Sequence, residues 1–199
     1  MISEEHNTRL IAEKRRVTIS VIDDLLADHK LIAEMADLMD LSVEKIEKGV
    51  RISPETISKE IEFCRDFISK WHEQKEEQVL MPALNKAGYP TDRGPIWETT
   101  EDHRRGRSIL RRLAAVEKTA KEEQRIRDFA EYSAAYAMYL FEHIRDEENG
   151  LYRAARLAIS SEAGEEMLRS SSSLDAELSK KGGRERYSRI VDELRKELA

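Results

Sequence analysis

The sequence predicts an all-helical protein with four long helices and additional C-terminal helical segments. Apolar residues recur at steps of three and four along most of the 199 residues, which is the spacing that keeps one face of a helix buried. The chain has only 8 glycines and 4 prolines, and they fall mostly where helices would break. No stretch alternates with period two, so we expect essentially no β-strand.

The first two helices have clear ends in the sequence. We place the first at about 18–48, where Gly49 closes it. Ser53 followed by Pro54 predicts the start of the second helix, with the serine as N-cap and the proline at the first helical position. The second helix runs to about Lys86, before a break at 88–91.

The next two helices are less sharply separated. The third covers roughly 94–122 and is opened by Asp92. Its boundary with the fourth helix has only a weak signal, which we place near 121–124, and the fourth helix continues to about Ile159. The predicted organisation is therefore an N-terminal extension at 1–17, a helical bundle at 18–159 and a C-terminal helical tail at 160–199.

The tail combines breaks with amphipathic segments. Residues 160–164, a serine run at 170–173 and the KKGG sequence at 180–183 interrupt two short amphipathic segments. The second segment carries five apolar residues at helical spacing: Tyr187, Ile190, Val191, Leu194 and Leu198. It is interpreted either as an extra helix packed on the bundle or as a helix that forms a homodimer.

Composition favours a cytoplasmic protein without nucleic-acid or membrane partners. The formal net charge of -6 gives no general reason to expect nucleic-acid binding. No apolar run approaches the roughly 20 residues that span a bilayer, and residues 1–17 lack the apolar region of a signal peptide. The single cysteine, Cys64, cannot form an intrachain disulfide and is expected to be buried.

Four of the five histidines fall on the apolar faces of the four long helices, one in each. They are His29, His72, His103 and His143, whereas His6 lies in a polar terminus and is expected to be exposed. Two glutamates, Glu76 and Glu147, follow the second and fourth of these histidines by four residues. This spacing places each histidine and glutamate one above the other on a helix.

These six residues predict a metal site inside the bundle. An unpaired, ionised carboxylate in an apolar interior is strongly unfavourable, and a metal cation compensates it. Two histidine–glutamate pairs and two single histidines suit two ions, with each glutamate bridging and each ion taking two imidazole nitrogens. The alternative, that each histidine is a satisfied core residue, has to account for four coincidences at once.

The motifs that carry these residues resemble a known family. The segments HEQKEEQVLMPAL at 72–84 and HIRDEENGLY at 143–152 resemble the second-helix and fourth-helix signatures of the hemerythrin HHE cation-binding domain. ADHKLI around His29 and TTEDHRRG around His103 occupy the first and third ligand positions. The resemblance covers about 19–158 and implies an up-down four-helix bundle of hemerythrin type.

The resemblance also implies a cofactor and a range of functions. It implies two carboxylate-bridged non-haem iron ions on the six residues named above, with zinc or another divalent metal as a substitute in a recombinant sample. Members of the family carry oxygen, sense oxygen, iron or redox state, or act on nitric oxide and repair iron–sulfur centres. We therefore expect a protein that binds or senses oxygen, nitric oxide or iron and redox state. The alternative is a di-iron oxidoreductase or repair protein acting on nitric oxide or peroxide.

The sequence departs from the oxygen-carrying members at two places. Arg107 stands where they have a further histidine, which argues against reversible oxygen carriage. Glu73 stands where many members have a second histidine, and it forms a second i,i+4 pair with Glu77, which would supply ligands if the helix were rotated. Gly106, on the metal-facing side of the third helix, leaves space for a small ligand or for close packing of a neighbouring helix.

Overall fold

The computed structural model describes the backbone of residues 4–199 and the side chains of residues 21–160 and 162–199. The described chain is all-helical, with no residue between 4 and 199 in a β-strand. The first to fourth helices lie at Glu4–Glu47, 54–86, Gly94–Ala115 and Glu122–Asn149, and three more follow at Leu151–Ala158, Ser161–Ser179 and Gly183–Glu197. The predicted exposure of His6 falls outside the described side chains.

The second helix begins as predicted but changes its winding along its length. The Ser53 hydroxyl caps it by accepting from the Thr56 backbone N–H at 3.0 Å. The helix is an α-helix at Pro54–Glu62, Glu73–Lys75 and Met81–Lys86 and a π-helix at Phe63–His72 and Glu76–Leu80. The second π-helical stretch ends just before Pro82, whose ring would crowd the regular α-helical turn that precedes it. π-helical turns occur often at functional sites, and these carry His72 and Glu76.

Four predicted boundaries differ from the structure. The first helix begins at Glu4 rather than near 18. Arg93 rather than Asp92 takes the N-cap position of the third helix, which ends at Ala115 in a 3-10 turn at Val116–Lys118. The fourth helix ends at Asn149 because the backbone turns at Gly150, where an added Cβ would lie 2.8 Å from the Asp146 carbonyl oxygen.

The tail is more helical than the sequence indicates. The serine run lies inside the helix Ser161–Ser179, where Ser172 and Ser173 donate to the carbonyls of the residues four positions earlier. The chain then turns through Gly182 and Gly183, both with positive φ. The apolar face of the last helix is buried against its own chain, so this helix packs on the bundle. A homodimer through the last helix stays a prediction.

A polar layer separates two apolar cores. One core contains residues 32–39 of the first helix, 57–71 of the second, 110–113 of the third and 129–140 of the fourth. The other contains 21–25, 79–84, Ile96 and 151–155. Each of the four long helices carries one of the four histidines between the two cores, and the second and fourth helices also carry one of the two glutamates there. These polar side chains are therefore buried where water does not readily solvate them.

The described residues give no sign of a membrane-spanning element, since none of their helices combines the length and apolar character that crossing a bilayer needs.

The thiol of Cys64 is fully buried, as expected, and lies 3.7 Å from the Met39 sulfur. Burial raises the pKa of this thiol well above its usual value, which keeps it protonated.

Glu60 makes the larger core sensitive to pH. Its carboxyl is fully buried and accepts from the Ser42 hydroxyl at 2.5 Å and the Ser133 hydroxyl at 3.4 Å. Burial raises its pKa from 4.5 to about 8, although the two hydroxyls oppose that shift. The folded protein therefore holds this proton more tightly than the unfolded chain does, and stability is lost as the pH rises from 4.5 through about 8.

We expect Glu60→Gln to remove this loss, because glutamine resembles the protonated acid at every pH. Between pH 5 and 8 the variant should gain of order 3 kcal/mol relative to the wild type in the free energy of unfolding, measured with urea. Glu55→Gln, at an exposed position of the same helix, is the control. An equal pH dependence in the wild type and Glu60→Gln would contradict the assignment of a protonated Glu60.

Candidate metal centre

The structure brings the six predicted site residues together in the polar layer. Each of them is at most 2% exposed. Their donor atoms form two overlapping groups, in each of which the atoms lie within 4.8 Å of one another. One group is His29, His72, Glu76 and Glu147, and the other is Glu76, His103, His143 and Glu147.

The overlap has the form that a two-metal site needs. The rings of His29 and His72 are 4.9 Å apart between centroids, and those of His103 and His143 are 5.4 Å apart. Each group therefore has its own two imidazoles and shares both carboxylates with the other.

The carboxylates face the Nε2 atoms of the imidazoles. Glu147 lies 3.2 Å from Nε2 of His29, 3.0 Å from that of His103 and 3.3 Å from that of His143. Glu76 lies 3.2 Å from Nε2 of His103 and 3.8 Å from that of His72. The donor atoms of all four helices thus converge on one small volume.

A second set of carboxylates holds the outer nitrogens of the same imidazoles. Because an ionised carboxylate only accepts, we assign the hydrogen on each of these contacts to Nδ1 of the histidine. The four contacts are His29 with Glu148 (3.0 Å), His72 with Asp28 (3.4 Å), His103 with Glu77 (2.8 Å) and His143 with Asp102 (2.9 Å). Such contacts fix the ring orientation and raise the basicity of the nitrogen that faces a metal.

These outer contacts follow a pattern that links neighbouring helices in a circle. The first helix holds the histidine of the second, the second that of the third, the third that of the fourth, and the fourth that of the first. In the sequence, Asp28 and Asp102 directly precede a histidine, and Glu77 and Glu148 directly follow Glu76 and Glu147. Repetition of these dipeptides was the only sequence signal for their role.

Tyr152 is a further site residue that the sequence did not reveal. Its hydroxyl donates to Oε1 of Glu76 at 2.6 Å and lies 3.0 Å from Nε2 of His29, on whose ring the phenol stacks at 5.0 Å. Burial raises the pKa of this hydroxyl well above its usual value, and the charges of Glu76 and Glu147 raise it further. Tyr152 therefore presents a proton to the centre at neutral pH.

Arg107 forms ion pairs with Glu73 and Glu77. Its Nε donates to Glu73 at 2.8 Å and its terminal nitrogen donates to Glu77 at 2.5 Å. The two carboxylates and His103 form a third group of donor atoms, but the guanidinium already supplies positive charge there. This arrangement favours the register in which His72 and Glu76 face the centre over the rotated alternative.

The electrostatics of the six residues favour bound positive charge. Burial lowers the pKa of His29, but contacts with Glu147 and Glu76 outweigh it and raise that pKa to about 9. The pKa of His103 is also raised well above its usual value, because Glu147, Glu76 and Glu77 outweigh burial. Burial raises the pKa of Glu147, yet the surrounding histidines hold it well below its usual range. The cluster therefore attracts cations, whether protons or metal ions.

The residues present fit bound metal cations. Nε2 of His72 and Nε2 of His143 are buried and have no hydrogen-bond partner among the described residues. Leaving such a group unsatisfied costs roughly 1–3 kcal/mol, and a cation placed between the imidazoles and carboxylates removes that cost. Neutral imidazole together with carboxylate is a donor set that suits iron and zinc.

A cavity reaches one side of the centre. It has a volume of about 490 Å³ and lies where the third helix meets the end of the fourth, beside Gly150. His143 and Glu147 form its inner wall, and Glu98, Asp102 and Asp146 are among the residues around it. A small molecule or cation can therefore approach the His103 and His143 half of the centre.

Gly106 serves close helix packing. A Cβ at this position would overlap the ring and hydroxyl of Tyr139 on the fourth helix, and that ring stacks on His143 at 5.3 Å between centroids. The space that the sequence left open beside the metal site is thus filled by a tyrosine.

We expect Gly106→Ala to destabilise the protein by about 1–3 kcal/mol, because the added methyl group must displace Tyr139 from a packed interior. Urea unfolding measures the change. Tyr139→Leu should relieve the overlap, so the double variant should lose less stability than the sum of the two single changes. Simple additivity in that cycle would show that the two positions are not in contact.

Comparison with known proteins shows which family this chain matches. The model of the hemerythrin HHE cation binding domain matches residues 20–155. Curated relatives include uncharacterized proteins of Mycobacterium bovis (strain ATCC BAA-935 / AF2122/97) and of the CDC 1551 and H37Rv strains of Mycobacterium tuberculosis. Each is 27% identical over 145 residues, which cover 72% of this chain but only 56% of the relative. No solved structure matches the chain at a significant level.

Proposed function

The chain belongs to the family of the hemerythrin HHE cation binding domain, and we propose that it holds two non-haem iron ions and binds oxygen or nitric oxide there as a sensor. The proposal concerns this chain, which spans about half of the length of the curated relatives it matches. The observation that carries it is the pair of overlapping, fully buried histidine–glutamate groups.

The proposal includes an up-down four-helix bundle. The order in which the helices cross the molecule supports this topology. The first and third helices run from the smaller apolar core through the polar layer to the larger one, and the second and fourth run the opposite way. Such alternation lets four helices bring inward-facing ligands to one level of a bundle.

Each ion would have two imidazoles of its own. His29 and His72 would hold the first, His103 and His143 the second, and Glu76 and Glu147 would bridge them. Iron held there supplies one-electron redox chemistry and affinity for small diatomic molecules. Zinc remains an alternative occupant of the same donors, because zinc binds imidazole and carboxylate more tightly than ferrous iron does.

Sensing is favoured over oxygen carriage by Arg107. The oxygen-carrying members have a histidine at this position, whereas the guanidinium here is engaged by Glu73 and Glu77. One imidazole is thereby missing from the set, and the cavity beside His143 gives a small ligand a route to the centre.

A second candidate function is a di-iron oxidoreductase that reduces nitric oxide or peroxide, or an iron-centre repair protein. Tyr152 favours the oxidoreductase, because such reductions consume protons and this hydroxyl is held against Glu76 and His29. The phenol would deliver a proton at the centre and regain one from solvent through the cavity that Tyr152 lines together with Glu148 and Arg153.

Anaerobic stopped-flow mixing separates the two functions. A sensor should give one stoichiometric spectral change on mixing the reduced, iron-loaded protein with nitric oxide or oxygen. An enzyme should consume an excess of nitric oxide or peroxide when a reductant is supplied, and Tyr152→Phe should slow that turnover by about 100-fold. Tyr139→Phe is the matched control, because Tyr139 also carries a buried hydroxyl and its ring stacks on a site histidine. An iron-loaded protein that responds to none of these molecules would contradict both functions.

A further inference from the structure

The last helix reaches the metal centre through Arg184. Its Nε lies 2.8 Å and its terminal nitrogen 2.6 Å from Oδ1 of Asp28 on the first helix. The same guanidinium donates to the Asp24 carbonyl at 3.3 Å. The other oxygen of Asp28 faces Nδ1 of His72. Arg184, Asp28 and His72 thus form a continuous chain of contacts from the C-terminal helix to the centre.

Asp28 depends on this contact more than the other outer carboxylates would. Its side chain is fully buried, whereas those of Glu77, Asp102 and Glu148 are 30%, 26% and 42% exposed. A buried carboxylate without a counter-charge is costly, and the half-buried Arg184 guanidinium supplies that charge from the edge of the site. Arg184 lies outside residues 20–155, where the family model matches, so this contact is an addition made by the tail.

A second contact joins the tail to the second helix, next to His72. The fully buried Lys75 pairs with Asp175 of the helix Ser161–Ser179, at 2.7 Å. Its ammonium also lies 4.1 Å from the ring centre of Trp71, and the Arg184 guanidinium lies 5.5 Å from that ring. Trp71 directly precedes His72, so the tail contacts the π-helical turn that presents the histidine.

We propose that Arg184 is a positioning residue of the metal centre: it holds Asp28, and Asp28 holds the His72 imidazole toward the metal. This inference rests on the proposed function. Without Arg184, the buried Asp28 carboxylate loses its cation and turns toward the water that replaces the guanidinium, and the His72 ring loses the contact that fixes its orientation. The C-terminal helices are then a part of the site that the four-helix unit alone does not supply.

The rate of iron loss to an excess of a ferrous chelator tests the proposal on the reduced, iron-loaded full chain. Arg184→Ala should speed the loss about tenfold, as expected for removing support from a ligand histidine. Asp28→Asn should do the same, and the double variant should lose iron no faster than Asp28→Asn alone, because both changes break one chain of contacts. The absorption spectrum of the iron-loaded protein should shift in the same variants.

Arg195→Ala is the matched control. Arg195 lies on the same helix and pairs with Glu34 of the first helix at 2.9 Å, but it does not contact the residues that hold the histidines. Its iron loss should equal that of the wild type, although both alanine variants remove ion pairing between the same two helices. If Arg184→Ala does not fold, Arg184→Lys serves instead and should lose iron about threefold faster than the wild type, because lysine lacks the paired donors of arginine.

Equal rates of iron loss in the wild type, Arg184→Ala and Arg195→Ala would overturn the positioning role while leaving the proposed function intact. Equal acceleration by Arg184→Ala and Arg195→Ala would also overturn it, because that result indicates general loosening of the helix. A wild-type protein that takes up no iron would overturn the proposed function together with this inference.

Discussion

Replacing Glu147 by alanine should remove both ions from the protein, whereas replacing His103 by alanine should weaken the binding of only one ion. Glu147 belongs to both groups of donor atoms and lies within 3.3 Å of three imidazole Nε2 atoms. Its loss removes a ligand from each ion and leaves buried imidazoles without a carboxylate. We expect the metal content to fall from about two ions per chain to fewer than one in Glu147→Ala, and to about one in His103→Ala.

Elemental analysis after dialysis against a weak chelator measures this difference. The paired change of His72→Ala with Glu76→Ala should abolish iron retention in the same way, since Glu76 is the other shared carboxylate. His6→Ala is the control, because the sequence places this histidine outside the cluster. Full metal retention in Glu147→Ala would show that the shared carboxylates are not the ligands.

Removing the metal should cost more stability than any single substitution away from the site. Without cations, the Nε2 atoms of His72 and His143 have no hydrogen-bond partner among the described residues, and two carboxylates are buried between apolar cores. Two ions held at about 1,000 times their dissociation constants stabilise the fold by about 4 kcal/mol each. For a domain of this size, the melting temperature should then fall by about 15–30 °C when the metal is removed.

Calorimetry with and without a strong chelator checks this expectation, and restoring iron should restore the melting temperature. Glu147→Ala provides the comparison, because a chain that no longer holds metal should melt at the same temperature in both conditions. A melting temperature of the wild type that does not respond to the chelator would mean that the six residues are a self-sufficient structural cluster.

The cluster of histidines and glutamates could be predicted from the sequence because it depends on helical periodicity within single helices. A histidine on each apolar face and a glutamate four residues later are both properties of one helix, so the convergence of His29, His72, His103 and His143 followed from amphipathic packing. The helix ends that carry strong signals, Ser53 and Pro54 above all, were also predictable.

The contacts that hold the outer nitrogens of these histidines have only a weak signal in the sequence, the repeated dipeptides, because they pass between helices. Asp28 precedes His29 in the sequence but holds His72, and Asp102 precedes His103 but holds His143. Their roles depend on how the helices are rotated about their axes, which periodicity does not specify. Tyr152 contacts the centre from beyond a turn at Gly150, and the continuous apolar pattern of the sequence does not indicate that turn.

The tail shows the same limit. The serine run predicts a break, but the hydroxyls of Ser172 and Ser173 donate to backbone carbonyls within the helix, and the helix continues. The apolar residues of the last helix predicted burial correctly but did not distinguish packing on the chain itself from packing on a partner. The contact of Arg184 with Asp28 joins residues 156 positions apart, and no local sequence pattern predicts it.

The metal content of the wild-type protein tests the central claim most directly. Protein produced in iron-rich medium and purified without chelators should contain about two metal ions per chain by elemental analysis, as expected for two groups of imidazole and carboxylate donors. A folded protein that contains no metal after such a preparation, and takes up none when ferrous iron is added without oxygen, would contradict the account.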